Sequence, residues 1–149
     1  MTVITPNTRN ALTTVFGILA ALYAITFFLG ALLHLGLRIP VLGTVLAEPT
    51  IIPATIVETL CGLVLAFGAY GALSRANKAW TVLASAHAFA ASGVLLGMAA
   101  IALGAGPGTD LNTIYHRVML TVLTAGLILL LTPAGRSAFG RGARTPTRR

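Results

Sequence analysis

The chain has 149 residues, 56% of them hydrophobic and only 9% charged, against about 25% charged in an ordinary soluble domain. A water-soluble globule is excluded, because the apolar residues run in long blocks instead of the short periodic stretches of a soluble core. The chain reads as an integral membrane protein. Ten Lys and Arg against three Asp and Glu give a net charge of +7, but the basic residues flank apolar blocks, so the excess speaks of membrane topology and not of nucleic acid.

A helix crossing the hydrocarbon core of a bilayer needs about 20 apolar residues, and four stretches reach that length, at about 12–37, 51–73, 79–103 and 111–131. The expected fold is therefore all-α, a four-transmembrane-helix bundle. The first span is longer than the apolar core of a signal peptide, about 7–15 residues, and lacks a small-x-small cleavage site, so it is read as a mature helix. Asn77 and Lys78 interrupt the second and third spans, and Gly104, Gly106, Pro107 and Gly108 break the third from the fourth. Thr109 and Asp110 offer the fourth helix an N-cap and a favourable first-turn charge. Pro133 and Gly135 stop it, leaving 133–149 as a basic tail expected to be disordered and to lie near anionic lipid headgroups.

Arg9, Arg75, Lys78, Arg136, Arg141, Arg144, Arg148 and Arg149 fall on one side of this four-span arrangement, while Arg38 and Arg117 fall on the other with Glu48, Glu58 and Asp110. The positive-inside rule then places both termini in the cytoplasm and the chain in the plasma (inner) membrane. The outer connection from Arg38 to Thr50 carries Ile39, Val41, Leu42, Val45 and Leu46, an apolar edge for the interface or a cover for the bundle mouth. The third span is dense in small residues, with Gly93 and Gly97 spaced as GxxxG. Small side chains let helix backbones approach closely, which makes this helix the expected centre of the bundle, with homo-oligomerisation through the same face as the competing reading. The single cysteine, Cys61, lies in an apolar run and reads as a small core residue.

Ionisable groups inside spans are expensive and serve as functional candidates. With about 1.5 Å of rise per residue, Glu58 lies roughly 10 Å inside the outer start of the second helix, and His116 and Arg117 roughly 8–9 Å inside that of the fourth. His34 is near the outer end of the first. Glu58, His34 and His116 are the candidate catalytic residues, and Arg117 and Tyr115 the candidate ligand-binding ones, although Tyr115 is expected to point elsewhere on its helix. In one chemistry Glu58 exchanges a proton with a quinone-like or other small molecule, with a histidine as relay and Arg117 holding an anionic group. In another, His34, His116 and Glu58 ligate a metal, but no helix carries the tight spacing of a strong metal motif, and no metal is expected. The plainest alternative pairs Glu58 with Arg117 as a buried salt bridge. His87 lies on the opposite side of the membrane from the other histidines and reads as a hydrogen-bonded core residue.

From Glu58 the chain continues Glu58-Thr59-Leu60-Cys61-Gly62, then Leu65, Gly68 and Arg75-Ala76 before the small-residue helix. That order resembles the second and third helices of DoxX-like membrane proteins, over roughly residues 52 to 100. The first helix departs from the family pattern, with no intramembrane Arg or Lys at its start and His34 near its end. The resemblance implies a quinone-linked oxidoreductase subunit, or a membrane partner that recruits or assembles redox proteins. Taken together, these readings put an accessory, assembly or ligand-binding subunit beside a membrane redox system first, a quinone-linked oxidoreductase second, and a small transporter or channel third. The partners expected are the bilayer and a membrane protein, with no nucleic acid.

Overall fold

The computed structural model describes residues 6–140. Residues 141–149 and the side chain of Arg9, which belong to the topology reading above, lie outside the described residues. Four helices are long and apolar enough to cross a membrane: α1 (Pro6–His34), α2 (Ile52–Leu73), α3 (Ala79–Ala102) and α4 (Asp110–Leu131). A two-stranded hairpin, β1 (Ile39–Val41) and β2 (Thr44–Leu46), separates α1 from α2, and a short α5 (Pro133–Ala138) follows α4.

The helix ends follow local chemistry. The first helix stops at His34 instead of near Leu37 because Gly36, at φ 97°, enters the left-handed region that terminates a helix. Arg75 adopts φ 56° without being glycine, and the amides of Arg75 and Ala76 close back onto the carbonyls of Ala72 and Gly71 at 3.1 and 2.9 Å, a Schellman ending for α2. Thr109 caps α4 as its sequence suggests, accepting from the Asn112 amide at 3.1 Å. Thr132 ends α4 and also caps α5, accepting from the Gly135 amide at 3.0 Å.

Packing is antiparallel and sequential. At one end Gly17 lies against Leu73 and Ala72, and toward the other Gly30 lies against Glu58, so α1 and α2 run in opposite directions. Gly68 against Leu83 and Gly93 against Cys61 fix α2 to α3, and Gly97 against His116 and Gly126 against His87 fix α3 to α4. The glycines of the GxxxG pair are thus engaged within the chain, on α2 and α4. Between α1 and α4 the link is carried by side chains, with the Phe27 and Tyr115 rings edge to face at 6.2 Å. A central core built on Phe27, Leu65, Val94 and Leu123 continues into a second cluster around Phe16, Leu83 and Leu130.

The two ends differ. At the terminal end the start of the expected disordered tail is instead the helix α5, which is folded back under the bundle. The Thr13 hydroxyl donates to the Ala138 carbonyl at 3.1 Å, Phe16 meets Phe139 at 6.2 Å, and Arg136 sits 5.7 Å over the Trp80 ring. Apolar Phe139 and Ala138 have core surface to cover, which the Arg, Gly and Thr content of the tail concealed. At the other end the hairpin turns at Leu42 and Gly43, both at positive φ (45° and 84°), the arrangement of a two-residue primed turn. Its tip, Leu42, is fully exposed.

Candidate functional site

Near the hairpin end, α2, α3 and α4 enclose a cavity of about 340 Å³, within the range of small-molecule sites. Its walls are apolar, among them Ile51, Val57, Val94, Leu96 and Ile101, and its polar groups come from Glu58, Asn112, Tyr115 and His116. A smaller cavity of about 120 Å³ between α1 and α4 shares Glu58, Asn112 and Tyr115 and adds His34 and Glu48. Leu96 lines the larger cavity while remaining 60% exposed on the bundle's flank, so this cavity reaches the surface between helices.

Glu58 stands between the two cavities. It is only 6% exposed, and its Oε2 atom has no hydrogen-bond partner among the described residues. The carboxylate fits because α1 offers a glycine at this level: a Cβ on Gly30 would lie 2.8 Å from Oε1 and 2.9 Å from Oε2. The Tyr115 hydroxyl is likewise buried and unpartnered. Unpaired buried polar atoms cost about 1–3 kcal/mol each, so two at one place mark a site that is incomplete by itself.

The three histidines of the chain share one hydrogen-bond pattern. Nδ1 of His116 lies 2.8 Å from the Asn112 carbonyl, that of His34 lies 3.1 Å from the Pro49 carbonyl, and that of His87 lies 2.9 Å from the Leu83 carbonyl. A carbonyl only accepts, so in each ring Nδ1 carries a proton, and Nε2 accepts when the ring is neutral and donates when it is charged. Nε2 of His116 lies against Gly97, where any Cβ would collide with it. His34 also accepts the Ile51 amide at its own carbonyl, 3.1 Å away, which ties the end of α1 to the segment entering α2.

The same segment reaches α4. The Thr109 hydroxyl lies 2.7 and 2.8 Å from the two Glu48 oxygens and donates to that carboxylate, so Glu48 is held at the N-terminus of α4, where a negative charge is favoured. The stretch after the hairpin therefore covers the bundle mouth. The hairpin itself stays exposed at Val41, Leu42 and Val45.

Of the sequence-derived candidates, Glu58, His116 and His34 gather around the paired cavities. Tyr115 does as well, against the expectation that it faces elsewhere: its ring turns inward between Phe27 and His116, with centroids 6.2 and 5.5 Å away. Arg117 does not. It is exposed on the outer side of α4, one position and about 100° round the helix from His116, and no ion pair joins it to Glu58 among the described residues. His87 stays apart, buried toward the terminal end with Tyr23 edge-on at 6.0 Å and Gly126 beneath it. Among the described residues no three His, Cys, Asp or Glu side chains converge into a cation-ligating set.

Asn112, Glu48 and Thr109 were not singled out for the site. Asn112 had a signal, as an uncharged polar residue one turn before His116, buried at 5% exposure. Glu48 had none, because its place depends on how a loop folds back. Comparison with protein-family models, curated proteins and solved structures finds no match to this chain.

Proposed function

We propose that this chain is a small multi-pass membrane protein that binds a lipid-soluble molecule with a polar group, acting as a ligand-binding or accessory subunit beside a membrane redox system. The observation that carries the reading is the apolar cavity of about 340 Å³ whose polar end holds two unpartnered buried groups, Glu58 Oε2 and the Tyr115 hydroxyl. A ligand satisfies those groups and fills the volume; without one, both are sustained at a cost. Opening on the flank beside Leu96 suits a ligand arriving from the lipid phase. Arg75, Lys78 and Arg136 lie at the terminal end, which supports termini in the cytoplasm of a plasma-membrane protein and a cavity in the outer half of the bilayer. The accessory assignment draws on the DoxX-like order around Glu58.

The test is small-molecule mass spectrometry on protein purified into lipid nanodiscs, alongside Ala100→Phe, which places a ring in the cavity from α3. A molecule retained by the wild type and absent from the variant is the expected result. No retained molecule, together with no saturable binding of added hydrophobic quinone or amine, overturns the reading. The quinone-linked oxidoreductase remains the second reading, because Glu58 and the Tyr115 hydroxyl are proton-carrying groups on one cavity. A reducible quinone in the extract would favour it.

A further inference from the structure

We infer that the cavity's ligand is a lipophilic cation, an amine or onium compound with an apolar body, which replaces a proton at Glu58. The inference rests on the binding reading above and specifies the ligand class.

The charge balance of the site points this way. Glu58 and Glu48 both line the smaller cavity. Glu48 is satisfied by the Thr109 hydroxyl, while Glu58 has no partner for its buried oxygen. No Lys or Arg lines either cavity among the described residues, and Arg117, adjacent in sequence to His116, faces away. A carboxylate in an apolar interior without a counter-charge is costly. Its charge is removed by a proton or matched by a cation, and among the described residues no Lys or Arg lines the site to match it.

The hydrogen-bonding groups agree. Nδ1 of His116 and of His34 is committed to backbone carbonyls, so with neutral rings both Nε2 atoms accept. The donors are the Tyr115 hydroxyl, the Asn112 carboxamide and, while it holds its proton, the Glu58 carboxyl group, each of which also accepts. A neutral quinone can accept from the Tyr115 hydroxyl, the Asn112 carboxamide or a protonated Glu58, but it brings no charge to match a Glu58 carboxylate. A cation finds a carboxylate, and Phe27 and Tyr115 place aromatic rings beside it. The remaining wall, with Val57, Val94, Leu96 and Ile101, suits the apolar body.

Exchange balances as follows: a neutral Glu58 carboxyl group and a cation give the Glu58 carboxylate paired with that cation, and one proton leaves to solvent. The titratable groups facing Glu58 are His34 on α1, Glu48 from the loop, Cys61 on its own helix, and Tyr115 and His116 on α4. α3 presents Gly93 and Val94 to this level and no titratable side chain.

The experiment titrates detergent-purified full-length protein with tetraphenylphosphonium, following heat and, in weakly buffered solution, proton release with a pH dye. A decyl-substituted benzoquinone serves as the neutral probe, and Glu58→Gln, Glu58→Asp and Ala100→Phe are run beside the wild type. The expected result is saturable cation binding with release of about one proton per cation. Glu58→Gln abolishes both, Glu58→Asp retains both, and Ala100→Phe loses binding. Saturable binding of the quinone but not the cation, abolished by Ala100→Phe, overturns the cation and leaves the binding reading standing. Cation binding without proton release, or undiminished in Glu58→Gln, also overturns it. If neither probe binds to wild-type protein that elutes folded and monodisperse, the binding reading itself fails.

Discussion

Glu58 and Arg117 show how far depth along a helix can be trusted. Equal depth made them a plausible buried pair; rotation about α4 separates them, and one position of difference is enough to send Arg117 outward and His116 inward. Breaking a buried pair by removing one partner costs about 3–5 kcal/mol. For this structure Arg117→Gln is instead expected to change stability by less than about 0.5 kcal/mol, as at other exposed positions. Glu58→Gln in ligand-free protein is expected to change stability by less than about 1 kcal/mol, because it exchanges a neutral buried carboxyl group for an uncharged amide of the same shape. Thermal unfolding of the two variants in the same detergent decides it, and a large loss from both would restore the salt bridge. Tyr115 was misplaced for a related reason. Its ring is long enough to reach inward from a position beside the core-facing stripe, and its partner Phe27 comes from α1, which no local pattern discloses.

At the scale of elements, the four spans were legible almost to their ends because hydrocarbon thickness sets helix length and because Thr109, Pro133 and the 104–108 glycines punctuate the chain by known chemistry. The hairpin was not legible, since Leu42-Gly43 lacks the Asn-Gly or Asp-Gly signature of a primed turn, and neither was α5, whose docking surface exists only after α1 has been placed. The link from Glu48 to Thr109 joins two of these elements. Thr109→Ala removes both the cap on α4 and the donor to Glu48, and is expected to destabilise by about 1 kcal/mol, the typical value of an N-cap. Hydrogen exchange is the sharper measurement: the Asn112 amide, bonded to Thr109 Oγ1 at 3.1 Å, should exchange faster in the variant, while amides in the middle of α2 stay protected. Unchanged exchange at Asn112 would detach the loop from the cap.

Across the whole molecule, functional groups are distributed between two ends that share one core. Cys61 lies at its middle, fully buried between α2 and α3 with its sulfur against Gly93. It is the single thiol of the chain, so a maleimide should label it only when the helices separate. Labelling is expected to be negligible in native detergent and complete in denaturant, with a rate that follows global opening; rapid labelling of the native state would contradict the packing of α2 on α3. The cavity end was partly legible, through Glu58, His34 and His116, since charged or titratable side chains in apolar spans stand out from composition alone. What remained hidden was the empty volume, which small residues of α2, α3 and the loop after α3, among them Ala54, Gly97, Ala100 and Gly106, leave open without marking any one element.

The terminal end carries the chain's single tryptophan. The Trp80 indole N–H donates to the Leu130 carbonyl at 2.8 Å, and Arg136 of α5 lies over its ring. Its fluorescence is therefore an intrinsic optical reporter of whether α5 is seated, and its distance from Glu58 along the bundle keeps that signal separate from events in the cavity. Emission that changes when a ligand enters would thus register communication between the two ends of the bundle.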